Sequence, residues 1–230
     1  MPLTATQITT KARAIAKCPG FLSQSGEYLN LTLKDLVLHR ELKMLRKQGS
    51  ISVTVGSNGP FALPTDYLRT YDLFYTVNNF PYFLFPLSQE QYDQLFKDPS
   101  IANYPYSYTT DLTAQQTQSA GSLFIYPQST TALTLTHRYM VNMADISTPE
   151  SSSTVPWFPD QDYLVHATAT RLMQDTDDQR YESYKVMGEN MLRTHLIMEG
   201  DEQKVVKEIR LDPQRFHLNR NLRPTKISPY

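Results

Sequence analysis

The sequence predicts an α+β protein. Its parts are an α-helical bundle of two N-terminal and two C-terminal helices, an inserted antiparallel β-sandwich or barrel-like module, and an extended C-terminal arm. Three observations predict this. Apolar residues recur at helical spacing at both ends of the chain. Between them, residues 50–139 are rich in tyrosine, phenylalanine, proline and threonine, poor in charge, and alternate in places with the period of a half-buried strand. The final segment is basic, contains three prolines and has no helical period. These shifts divide the chain into 1–49, 50–146, 147–206 and 207–230.

The 230 residues, 40% of them hydrophobic, suffice for a real core. A net charge of −1 argues against polyanion binding by the protein as a whole. One cysteine, Cys18, excludes an internal disulfide and reads as a small apolar filler rather than a reactive thiol. The first residues lack a basic stretch followed by an apolar core. The most apolar run, residues 80–87, is broken by Pro81 and Pro86 and is far short of a membrane span. A soluble protein made in a reducing cytosol, without membrane contact, is expected. Asn30-Leu31-Thr32 matches the glycosylation acceptor, which carries nothing without a secretory signal.

Taken in order, residues 4–17 read as a helix. Thr4 and Gln7 have capping-box spacing, Ile8, Ala12 and Ile15 form a narrow apolar stripe, and Pro19-Gly20 ends the element. A second helix is predicted over residues 28–48. Leu29, Leu33, Leu36 and Val37 lie on one face and Leu31, Leu38, Leu42 and Leu45 on another, so contact with more than one neighbour is expected. Lys34, Arg40, Lys43, Arg46 and Lys47 read as part of its solvated face, and Gly49 as its stop.

In the middle stretch, residues 51–55 alternate as a strand and residues 56–60 are a turn by composition. Residues 71–77 form a strand, with Asn78-Asn79 turning into residues 82–85. Ser88 and Gln91 have capping-box spacing and open a short helix with Tyr92, Leu95 and Phe96 on its inner side. Residues 98–118 read as loop with one or two short strands. Residues 123–127 and 131–139 are expected to form a second hairpin, giving five or so strands in all. After a serine-rich connector, Asp160 or Asp162 caps a helix buried through Val165, Ala169, Leu172 and Met173. A corner at residues 175–178 leads to a last helix reaching Glu199, with Tyr184, Gly188, Met191, Leu192 and His195 at helical spacing.

No catalytic motif is present. The five histidines are scattered without metal-ligand spacing, and no phosphate-binding loop or nucleophile elbow occurs. Residues 175–178 begin like a calcium loop, but Arg180 and Val186 stand where that loop needs glycine and glutamate, so helix capping is the reading. No cofactor and no enzyme activity are expected. The fifteen tyrosines suit either a sugar-stacking platform or the core and interfaces of a β module. The terminal segment 207–230 has six basic and two acidic residues, hence +4, leaving −5 on the rest. Its arginines alternate with single apolar anchors, the pattern of a segment that folds onto a partner.

The order of parts resembles the head-to-tail adaptor, or connector, proteins of tailed bacteriophages, of the short-tailed type. The resemblance rests on two helices, then Leu63-Pro64-Thr65-Asp66-Tyr67-Leu68-Arg69, the short Leu87-Ser88 to Tyr92-Asp93 helix, and Leu123-Phe124-Ile125-Tyr126-Pro127. The strand ending at Tyr139, the Trp157-Phe158-Pro159 lead-in and two closing helices complete it. It implies a homo-oligomeric, dodecameric ring beneath the portal protein of the virion. Such a ring extends the DNA channel without sequence-specific contact, helps retain the genome and docks a tail or nozzle protein. By position, the arm would bind the portal. The chemistry of its residues then nominates Arg210, Leu211, Arg215, Phe216, Leu218, Arg220, Leu222, Arg223 and Tyr230 as contacts. A carbohydrate-binding β module of a tail or cell-surface device is the alternative, and a cell-wall hydrolase a third reading.

Overall fold

The computed structural model describes residues 2–95, 101–113 and 120–199. Among them the chain is α+β, with five α-helices and ten strands. The first helix, α1 (Ala5–Ala16), starts with the expected capping box. Thr4 Oγ1 accepts from the Gln7 N–H at 3.4 Å, and Gln7 Oε1 accepts from the Thr4 N–H at 3.0 Å. Ile8 and Ala12 are fully buried. The helix closes at Lys17, whose φ of 58° turns the chain before Pro19-Gly20.

The second helix departs from expectation at both ends. It runs as α2 (Leu22–His39), and Arg40 is already extended. A 3₁₀ turn (Lys43–Leu45) follows, then β1 (Arg46–Val53). The helix predicted as far as Gln48 is thereby corrected. Leu42 and Leu45 are buried, but from the turn, while Leu31 and Leu38 are exposed. Arg46 and Lys47 sit on a strand rather than a helix face, and Gly49 is mid-strand opposite His137. The cause is distant in sequence: β1 pairs along its whole length with residues 133–140.

Nine further strands and one helix follow. They are β2 (Phe61–Ala62), β3 (Tyr67–Val77), β4 (Phe80–Phe83), β5 (Phe85–Pro86), α3 (Gln89–Leu95), β6 (Ala102–Asn103), β7 (Ser107–Asp111), β8 (Ser122–Tyr126), β9 (Gln128–Ser129) and β10 (Leu133–Val141). They form sheets ordered β1-β10-β3-β4, β2-β8-β7-β5 and β6-β9. Pairing is antiparallel except between β5 and β7 and between β6 and β9. Among the described residues no sheet closes into a barrel, which corrects the barrel-like expectation. The predicted hairpin of β8 and β10 is also corrected, because the two strands belong to different sheets. Leu123 and Ile125 of β8 and Leu135 of β10 enter one apolar cluster from those two sheets, so local alternation could not reveal the partner.

Local chemistry explains the turns. Asn78 and Asn79 have φ of 51° and 67°, the paired positive values a two-residue hairpin needs, and they join β3 to β4. Gly59 has φ 119°, and a Cβ there would lie 2.7 Å from the Leu123 carbonyl oxygen. The Ser88–Gln91 capping box forms and opens α3. Tyr92 is buried there, whereas Leu95 is exposed, against expectation, and Phe96 lies outside the described residues.

The chain returns to helices as α4 (Gln161–Asp175) and α5 (Tyr181–Glu199). Asp160 is the cap of α4, accepting from the Tyr163 N–H at 2.9 Å. Val165, Ala169, Leu172 and Met173 are buried as predicted. At the corner, the Asp178 carboxylate accepts from the backbone and guanidinium of Arg180, and Asp175 accepts from the Tyr28 hydroxyl. Those carboxylates serve the turn and the α2–α4 contact. Gly200, the next residue and by its chemistry a natural helix stop, lies outside the described residues.

Three apolar clusters result. One gathers α1, α2, α4 and α5 around Phe158, a second lies within the sheets, and a third holds Cys18 between α1 and α4. The strand segment begins and ends at one place, since Arg46 pairs with Met140. Met140 is buried in the helical cluster and Met143 packs against both it and the strand cluster. Asn30 adds a polar clasp. Its amide donates to the Ile146 carbonyl and accepts from the Ile146 N–H, each at 3.0 Å.

Candidate docking surfaces

The described residues present two kinds of surface, one aromatic and one helical. The aromatic surface grows from the Asn78-Asn79 hairpin. β4 is an edge strand of one sheet and β5 an edge strand of another, and the chain crosses between them at Leu84. Edge strands cover neither face of their side chains fully, so Phe80 is 69% and Phe85 67% exposed, with Tyr82 and Phe83 half exposed. Pro81 and Pro86 remove backbone donors from these edges, which discourages pairing with a further strand. Tyr104 and Tyr106 extend the aromatic surface from the neighbouring loop.

Within it the rings are ordered. The Tyr75 ring is buried and stacks on Tyr82 at 5.6 Å and on Tyr104 at 6.2 Å, with planes 13° and 10° apart. With Val77 these three line a slot of about 140 Å³. On the outer face of the same sheet, Phe83 meets Phe74, Arg138 lies over Phe74 at 5.0 Å, and Arg46 lies over Tyr71 at 4.5 Å.

Two polar centres hold these strands in place. Asp66, within the Leu63-to-Arg69 run, accepts from Lys47 at 2.6 Å and from the Tyr139 hydroxyl at 3.2 Å. Its backbone carbonyl takes the Asn142 N–H at 2.8 Å. The Lys47 bond holds its carboxyl below the usual range. The second centre is His137, buried between the rings of Tyr67 and Tyr139, with Nε2 3.1 Å from Thr70 Oγ1.

Burial lowers the His137 pKa to about 4. A free histidine titrates near 6.5, so the unfolded chain takes up the proton first as pH falls. Stability is therefore full above about pH 6.5, declines through the window down to about 4, and flattens below it. The expected loss is on the order of 3 kcal/mol. Denaturant midpoints measured across pH 7 to 4 should fall accordingly, and His137→Gln should remove most of that slope. An unchanged slope in the variant would assign the acid sensitivity elsewhere.

The helical surface is carried by α2 and α5. Leu31 and Leu38 point away from the buried Leu29, Leu33 and Leu36. On α5, Gly188 and Leu192 are buried while Val186, Met187, Ile197 and Met198 are exposed. No helix among the described residues is long and apolar enough to cross a membrane.

A sequence model of the SU10 adaptor protein family matches residues 3–205. The chain belongs to the SU10 adaptor protein family. No curated protein matches it individually. Family membership bears out the resemblance to phage head-to-tail adaptors and makes the protein a structural adaptor. The match takes in the adaptor's helices and sheets and stops before residue 207. The arm residues Arg210, Leu211, Arg215, Phe216, Leu218, Arg220, Leu222, Arg223 and Tyr230 all lie outside the described residues.

Sequence reasoning left the adaptor's tyrosines undivided between core and surface. The structure divides them: Tyr67, Tyr75, Tyr92, Tyr108, Tyr126 and Tyr139 are buried, whereas Tyr71, Tyr82, Tyr104 and Tyr106 are exposed. It also reveals the exposed Phe80, Phe83 and Phe85, which sequence reading noted only as part of an apolar run. Their signal was the run itself, since successive aromatic residues on a strand cannot all face one core.

Proposed function

We propose that this adaptor assembles in the virion as a dodecameric ring between the portal and a tail or nozzle protein. In this reading it extends the channel for packaged DNA, makes no sequence-specific contact with it, and helps retain the genome. It acts without a catalytic step. The helices work as one bundle that builds the ring, the strand module projects as a sandwich towards the tail, and the arm, residues 207–230, clamps the portal. Membership of the adaptor family, over residues 3–205, is the observation that carries this.

The aromatic end supports the tail-facing role. Exposed rings around a small slot are what a partner's single anchoring side chain requires. The same stacked rings could face a sugar. Among the described residues, however, the slot offers only phenols and a valine, without the amide or carboxylate that fixes sugar hydroxyls. A protein partner fits it better.

The test combines native mass spectrometry with a pair of variants. Mixed with the portal ring of the same virion, the full chain should add one complete ring of copies as a discrete mass. Phe83→Asp with Phe85→Asp should still load the portal, because both side chains are exposed, yet bind the tail protein about 30-fold more weakly or worse. A chain that remains free at every ratio would overturn the reading.

A further inference from the structure

The helix α5 has two working faces. Gly188 and Leu192 are buried on the first. The second lines a groove of about 650 Å³, with Val186, Met187, Met191 and Met198 interrupted by Asn190 and Thr194, and with Asp160 and Asp162 at its rim. Met198 is 81% exposed. Asp160 is engaged in capping α4, whereas Asp162 makes no ion pair among the described residues. An unbranched, methionine-rich stripe of this kind adapts readily to an opposing helix.

A second stripe is open on α2. Leu31 and Leu38 are 44% and 45% exposed, seven residues apart and about 10 Å along the helix. Lys34 lies between them on the same side and also makes no ion pair among the described residues. Both α2 and α5 pack on α4, and no residue of the α5 groove belongs to α2.

Two different open stripes fit each other rather than themselves. Pairing the α5 groove with its own copy would offer no Lys34 to Asp162 and would leave the α2 stripe open. Pairing α5 with α2 instead sets Lys34 against Asp162 and places Leu31 and Leu38 among the methionines. A contact between unlike surfaces repeats from copy to copy and closes into a ring when the rotation permits. We propose that the α5 groove of one adaptor receives the α2 stripe, Leu31, Lys34 and Leu38, of the next. This rests on the adaptor-ring reading above and names the surfaces that build the ring.

The test uses the full chain and the portal ring. Lys34→Asp and Asp162→Lys should each lower ring loading about tenfold, and the two changes in one chain should restore it. A chain carrying Leu38→Cys and Met191→Cys, oxidised on the portal, should give a ladder of covalently joined copies on a denaturing gel. Far-ultraviolet circular dichroism checks that these surface changes leave the helices intact. Loading like the wild type by both charge variants, with no ladder, would overturn the interface and leave the adaptor reading standing. A thiol-to-amine crosslinker that joins Met191→Cys to Lys204, Lys207 or Lys226 of its own chain would put that segment in the groove and overturn the interface equally. Failure of the unmodified chain to load at all would overturn both.

Discussion

A chain ending at Val206 should fold like the full protein and, if the arm is the clamp, should fail to join the portal. Among the described residues the three apolar clusters draw on residues 3–196, so removing residues 207–230 should leave thermal unfolding unchanged to within about 1 kcal/mol. The loss should instead appear in assembly. The removed segment carries +4 and leaves −5 behind, and it contains Arg210, Arg215, Arg220 and Arg223 with Leu211, Phe216, Leu218, Leu222 and Tyr230 between them. Charge-assisted hydrogen bonds from those guanidinium groups and apolar anchoring by their neighbours would supply the attachment.

Ordering about 20 residues costs on the order of 20 kcal/mol of backbone entropy, so one arm alone would bind modestly. A ring of arms gains through effective concentration, and losing every arm at once removes that gain entirely. The expected result is a portal ring of unchanged mass after mixing with the truncated chain. Arg215→Ala, Arg220→Ala and Arg223→Ala should weaken loading stepwise in the full chain. Truncated protein that loads as tightly as the full chain would show that the arm is not the clamp.

What the sequence revealed of this fold follows the range of the forces involved. Caps and turns are local, and Thr4 with Gln7, Ser88 with Gln91, Asp160, and the Asn78-Asn79 pair all act as their chemistry predicts. Pairing between distant strands is not local. Leu42 and Leu45 keep helical spacing with Leu38, yet residues 46–53 are claimed by β10 across nearly ninety positions of chain. The same effect separated β8 from β10, because a strand with one buried face declares its alternation and not its neighbour. Of the docking surfaces, the apolar run at residues 80–87 was visible as composition. Its exposure depends on β4 and β5 both lying at sheet edges, which only topology decides. The second face of α5 was hidden for a related reason. Met187, Met191 and Met198 look like core residues until the buried stripe through Gly188 and Leu192 is located.

Phe158→Ala should be the most damaging single substitution among the helices, and its effect should reach assembly through α5. Phe158 is fully buried and meets three rings edge-on: Trp157 at 5.7 Å, Tyr163 of α4 at 5.6 Å and His195 of α5 at 4.8 Å. Removing a buried phenylalanine ring costs about 3–5 kcal/mol, a large part of a typical domain stability of about 5–15 kcal/mol. For a chain of this length that corresponds to a fall of roughly 10 °C in the unfolding midpoint. The remote consequence separates this site from an ordinary core defect. Few buried side chains hold α5 to the rest, so loss of the Phe158–His195 contact should loosen that helix before the sheets yield. Hydrogen exchange should therefore speed up in α5 and remain slow in β3 and β10, and ring loading should fall at temperatures where the protein is still folded. Met198→Ala is the matched control: an 81%-exposed side chain should leave the midpoint nearly unchanged and weaken loading alone. Uniformly accelerated exchange in the Phe158 variant would instead make the helices and sheets a single cooperative unit, with Phe158 serving the whole rather than α5.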